Sequence, residues 1–198
     1  MHSICKSSLL TGYLSPFRPA LLRDELTNAI ELFPSNTIFL SLFAWNESSM
    51  RIDDRVRTIL RSTALTEKND NFPARVFAIR HSIATGNAYA TRATFENAVE
   101  SMVCMHNWQV WQLYTYWCLL TKEFRHKAKD IFFRGLRAAP WSKQLAMFAF
   151  THLKDDMEYE ELKDVYKFLG EKELRIHCDM DGLLEDFEEE ERRVLKRS

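Results

Sequence analysis

One apolar pattern returns along this chain at intervals of thirty-odd residues. A helix-sized stretch repeating at that period constrains the fold more than any other feature, because it is the signature of a helical repeat array. Residues 128–140, Ala-Lys-Asp-Ile-Phe-Phe-Arg-Gly-Leu-Arg-Ala-Ala-Pro, show it most fully. With Phe132 as the reference, the counterparts are Leu26, Val56, Phe95 and Val165, separated by gaps of 30, 39, 37 and 33 residues. Four positions later each copy is apolar again, at Ile30, Leu60, Val99, Leu136 and Leu169. The position before that one is Ala29, Ile59, Ala98, Gly135 and Phe168, small in three of the five, which leaves room for a neighbouring helix to approach. Pro34 and Pro140 fall at one offset after Leu26 and Phe132, where a ring without an N–H ends a helix.

Aromatic-rich stretches lie between these helices: Thr37–Trp45, Phe72–Ile83, Trp108–Leu120 and Trp141–Leu153. Their apolar residues recur at spacings of three and four, so they also read as amphipathic helices. The unit is an aromatic helix, a short turn, and a second helix of the Phe132 type. Such a unit cannot bury its apolar face alone and has to stack on its neighbours. The expected fold is all-α, a right-handed α-solenoid of helical hairpins. Residues 1–170 form the array, about five helix pairs with the first incomplete, and residues 171–198 a C-terminal cap and charged tail.

The turns agree with this. Asn36, Asn71 and Asn87 each precede a helical stretch as N-caps, Gly86 follows one as a C-cap, and Asp155 with Glu158 has capping-box spacing. The chain has only five glycines and five prolines in 198 residues, as helices joined by short turns require.

Net charge is −1, so no overall field draws the molecule to nucleic acid. The charge is uneven: ten acids and six bases from Glu171 onward give −4, leaving 21 bases and 18 acids, or +3, for the rest. No secretory leader or membrane span is read; the apolar run at Trp108–Leu120 is far shorter than the roughly 20 residues a span needs. Cys5, Cys104, Cys118 and Cys178 form no CxxC pair, which argues for reduced thiols of the cytosol or nucleus.

Trp111 and Tyr114 of the first helix, with Phe132, Arg134, Leu136 and Pro140 of the second, resemble the HAT (half-a-TPR) motif of RNA-processing scaffolds. The end of the chain is more particular. Glu171-Lys172-Glu173-Leu174-Arg175-Ile176, a short break, and Leu183-Leu184-Glu185-Asp186 resemble the C-terminal end of the nuclear RNAi-defective family, "necessary for RNA interference". The junction Arg134-Gly135-Leu136…Pro140-Trp141 is similar to that family's penultimate repeat. The resemblance covers most of residues 108–186 and reaches residues 16–107 at the level of the repeat. It implies the C-terminal HAT segment of a much longer nuclear protein, a scaffold for RNA-directed silencing, splicing surveillance and control of the exosome-associated RNA helicase. That helicase contact is expected upstream of the repeats. The second repeat departs from the motif, with Val56 and Thr58 in place of the aromatic and the arginine.

Other groupings have a plainer and a sharper reading. The stripe Trp108, Trp111, Tyr114 and Trp117 reads as packing between repeats; the sharper reading is a partner groove or a platform for RNA bases. Arg51, Arg55, Arg57 and Arg61, and Arg125, His126, Lys127, Lys129, Arg134 and Arg137, read as solvated faces and intramolecular pairs, with phosphate contact as the alternative. Glu188–Arg192 and Glu189–Arg193 have i,i+4 spacing. The residues assigned to a partner surface are Trp108, Trp117, Arg125, Lys129, Glu171, Glu173 and Arg175. The Cys104/His106 and His177/Cys178 doublets, more than seventy residues apart, are weak evidence for a zinc site, which needs four converging ligands. No nucleotide, zinc-protease or serine-nucleophile motif occurs, and the carboxylates Asp53 and Asp54 lie beside arginines instead of in an apolar pocket. The chain is therefore expected to have no catalytic, cofactor or metal site. Its expected partners are proteins of nuclear silencing, splicing or RNA-surveillance complexes, with direct RNA binding or self-association as alternatives.

Overall fold

The structure is a computed structural model and describes residues 19–49, 52–174, 182, 184–185, 188–189 and 192–193. The helices among them are α1 (Pro19–Leu32), α2 (Thr37–Ser49), α3 (Asp53–Ile59), α4 (Phe72–Ala84), α5 (Ala88–Glu100), α6 (Trp108–Leu120), α7 (Ala128–Ala138), α8 (Lys143–Phe148) and α9 (Tyr159–Glu171). Among the described residues no strand occurs. The fold is all-α, and the chain divides into two compact units, Met1–Cys104 and Met105–Ser198.

In the first unit α2 packs on α1, on α3 and on α4, and α4 packs on α5. The core joins Leu26 and Ile30 of α1, Leu40 and Phe43 of α2, Val56 and Ile59 of α3, and Ala74 and Ala78 of α4. Full burial of each large aliphatic or aromatic side chain contributes about 1.5–3 kcal/mol. Polar burial also ties α1 to α2: the Arg23 Nε donates to Glu47 Oε1 at 2.6 Å, and Glu47 is fully buried. A carboxylate so placed depends on its cation, since burial without one costs several kcal/mol.

In the second unit α6 packs on α7 and α8, and α8 on α9. Each unit therefore pairs an aromatic first helix with its own second helix and stacks it on the next first helix. This is the local packing of a helical solenoid. All five reference positions, Leu26, Val56, Phe95, Phe132 and Val165, are at most 2% exposed, and the apolar residues four positions on are buried as well. In the divergent second repeat α3 is short and passes into a π-turn, Leu60–Ala64. Val56 is nevertheless in the core beside Leu60.

The N-cap asparagines act through their side chains. Asn36 accepts from the Ile38 N–H at 3.0 Å, Asn71 from Ala74 at 2.9 Å and Asn87 from Ala90 at 3.0 Å. Gly86 follows α4 with φ +74, a left-handed conformation that costs a residue without a Cβ little. Two expectations at helix starts need correction. The capping box is Glu158 with Glu161, not Asp155 with Glu158, because α8 runs on through a π-turn and a 3₁₀ turn that takes in Asp155. Trp141 is not in a helix: α8 starts at Lys143, after Ser142 has accepted the Leu145 N–H as N-cap.

Candidate protein-interaction surface

The first helices bury one face and leave apolar side chains on another. On α2 these are Ile38 and Trp45, on α4 Val76 and Ile83, and on α6 Leu113 and Leu120, all between 37 and 69% exposed. Within each helix the two lie seven residues apart, close to two turns, and so share a face. From helix to helix each position advances by 38 and then 37 residues, the period of the core pattern. The exposed pairs thus recur with the repeat on α2, α4 and α6. On α6 the exposed Tyr116 extends the row, its ring 5.7 Å from that of His152 and 6.3 Å from that of Phe148. The Phe148 and His152 rings stack at 4.5 Å.

The residues singled out in the sequence divide differently. Trp111 and Tyr114 are buried, and the Trp111 indole N–H donates to the Met105 carbonyl at 2.7 Å. Gly135 faces Trp111, and the Arg134 guanidinium lies 5.4 Å from the same ring, a cation–π contact. Leu136 is buried, and Pro140 is half-buried in the turn after α7. Trp108 and Trp117 are half-buried, Trp117 with its ring 5.5 Å from that of Phe124. The tryptophan stripe is thus mainly repeat packing.

Two of the basic residues assigned to a partner surface are held inside the second unit. Arg125 donates two hydrogen bonds to Asp156, at 3.1 and 3.0 Å. Lys129 donates to both oxygens of Glu161, at 3.0 and 2.8 Å, while a Glu161 oxygen accepts the Glu158 N–H at 2.9 Å and so caps α9. Burial pushes the Glu161 carboxyl up, but the Lys129 and Glu158 hydrogen bonds outweigh it and hold the pKa below its ordinary value. Glu171 is the exposed last residue of α9. Glu173, with φ 52, is the left-handed residue that ends that helix. Arg175, Arg51, Cys5, His177 and Cys178 lie outside the described residues.

A second feature of the first unit is an open cleft of about 820 Å³ reaching from Arg57 and Leu60 across Ala78 to Glu100 and Val103. On its floor the Arg75 Nε and Nη2 donate to Asp70 at 2.7 and 3.1 Å, Arg75 Nη1 donates to the Asn97 carbonyl at 3.0 Å, and Ser101 Oγ donates to Asp70 at 2.5 Å. Burial raises the Asp70 carboxyl, and these bonds to Arg75 and Ser101 override it, leaving its pKa lowered. Sequence reasoning missed this network. Asp70 and Ser101 are 31 residues apart, about one repeat, and only a register fixed beforehand would have aligned them.

Among the described residues no three His, Cys, Asp or Glu side chains converge to hold a metal ion, and no helix is long and apolar enough to cross a membrane. His106 Nδ1 instead lies 2.8 Å from the Ala138 carbonyl.

Stacked hairpins with a recurring exposed apolar row define a helical-repeat protein. Its relatives are proteins named nuclear exosome regulator NRDE2. The mouse protein is 24% identical over 93% of this chain and 17% of its own length, and the human one 25% identical over the same shares. The Dictyostelium discoideum protein is 24% identical over 80% of this chain and 13% of its own. The chain thus spans less than a fifth of the length of each of these relatives. No protein-family model matches it, and no solved structure does.

Proposed function

We propose that this chain is a non-enzymatic protein-interaction scaffold, the HAT-repeat part of a longer nuclear protein that regulates exosome-linked RNA surveillance. RNA-directed silencing and splicing surveillance are the finer settings we assign to it. The observation that carries the reading is the apolar pair repeated at Ile38/Trp45, Val76/Ile83 and Leu113/Leu120. Apolar pairs held on packed helices are already ordered, so a partner binds them with little loss of conformational entropy. The names of the relatives supply the nuclear, exosome-linked setting. Two of the cations considered for phosphate contact, Arg125 and Lys129, are already bonded to carboxylates. The test is affinity purification of the chain from nuclear extract with and without nuclease, read by mass spectrometry. Recovery of exosome-associated or splicing proteins that survives nuclease is expected. Loss of every protein after nuclease would replace this reading with RNA binding.

A further inference from the structure

The cleft of the first unit is lined by residues other than the exposed apolar pairs of the first helices. Its floor is α4, which packs on α5 and on the π-turn after α3. The floor charges satisfy one another, since Asp70 is bonded to Arg75 and Ser101. The rims are not matched in this way. Arg57 and Arg61, four residues apart, line the α3 side. Arg57 pairs with Asp54 only at 3.8 Å, and that carboxylate is largely exposed; Arg61 makes no ion pair among the described residues. Glu100 lines the side formed by the end of α5, beside Met102 and Val103. Met102 is 83% exposed, although it is a large apolar side chain at the mouth of a cleft.

Charge selects the class of occupant. The lining carries three arginines (Arg57, Arg61, Arg75) and three acids (Glu67, Asp70, Glu100), so a phosphate backbone meets no net positive potential. The size lies within the range of cavities that hold ligands. An apolar mouth between a basic rim and an acidic one is complementary to an apolar anchor flanked by an acid and a base. We infer that this cleft docks a short peptide segment of a partner protein. Its acidic side chain faces Arg57 and Arg61, its basic side chain faces Glu100, and an apolar side chain packs on Met102 and Val103. The inference rests on the reading of the chain as a protein-binding module and adds the sequence character of one ligand.

The experiment is selection of a random dodecapeptide display library on the whole immobilised chain. The enriched peptides are then measured against Arg57→Glu/Arg61→Glu, against Met102→Lys, and against Leu113→Lys/Leu120→Lys. These positions are outside the core, and circular dichroism checks that each variant keeps its helices. The expected result is a motif with an apolar residue between an acid and a base. Its binding should fall about tenfold or more in the two cleft variants and hold in the α6 variant. Peptides that bind all variants alike would overturn the cleft assignment and leave the scaffold reading standing. No enrichment above bare resin would overturn the peptide site, while the nuclear purification still decides the wider reading. Arg57- and Arg61-dependent binding of a short oligouridylate would overturn the choice of a peptide.

Discussion

Gly135 on α7 lies so close to Trp111 on α6 that a Cβ on the glycine would sit 2.8 Å from the tryptophan Cβ and 3.0 Å from its Cγ. The atoms met are the stem of a buried side chain, which cannot swing away. Gly135→Leu is therefore expected to overpack the α6–α7 contact and destabilise the chain by about 1–3 kcal/mol in urea unfolding. An unchanged transition would contradict the close approach.

Phe132 is fully buried one turn before Gly135, its ring 5.3 Å from that of Phe133. Phe132→Ala should cost about 3–5 kcal/mol, the loss expected for a core phenylalanine. A loss within about 1 kcal/mol would mean that the repeat register is wrong, since an exposed site loses little.

The end of α9 supplies a test of opposite sign. The Glu173 N–H donates to Gly170 O and the Leu174 N–H to Leu169 O, both at 3.0 Å, with Glu173 at φ 52 between them. Glycine takes that conformation without the Cβ clash, so Glu173→Gly should raise stability by about 1 kcal/mol, seen as a higher Tm. Gly86→Ala, at φ +74 with open space around it, should lower stability by a similar amount. Equal melting curves for Gly86→Ala and the parent would show that φ does not matter there.

Much of this fold was legible in the sequence, and the exceptions have physical causes. The helix Trp108–Leu120 was legible from its apolar residues three and four apart, while its asparagine cap, Asn107, is seen only in the structure. Trp141 was misplaced because an aromatic next to a cap looks helical until Ser142 is seen to accept the Leu145 N–H. Asp155 was misplaced because a π-turn lengthens the helix before it, and apolar spacing carries no mark of that widening. Of the surface, the sequence showed the aromatics but not which would be buried. Trp111 went inside because the next helix presents Gly135 to it, a fact of the pairing and not of α6 alone. The partners of Arg125 and Lys129 lie 31 and 32 residues on, one repeat away, where a local scan for i,i+4 pairs does not look.

Acid should weaken the fold through Asp70 and Glu161. Both carboxyls have pKa values lowered in the folded state. Their contribution is present above the ordinary carboxylate pKa and is lost as pH falls through the depressed one. Asp70→Asn and Glu161→Gln should each flatten the acid limb of stability against pH. The Lys129–Glu161 coupling should stay below about 1 kcal/mol in a double-mutant cycle, because solvent screens side chains that are about a third exposed. An acid limb as steep in both variants as in the parent would show that other groups set it.

If the exposed apolar pairs of the first helices hold protein partners, charging them should release those partners. The nuclease-treated nuclear purification is therefore repeated with Ile38→Lys/Trp45→Lys and Leu113→Lys/Leu120→Lys beside the parent chain. Substitutions at such exposed positions should leave the helical content unchanged. Proteins recovered with the parent should be lost from one or both variants. Full recovery by both variants would contradict this and move the binding surface away from the first helices.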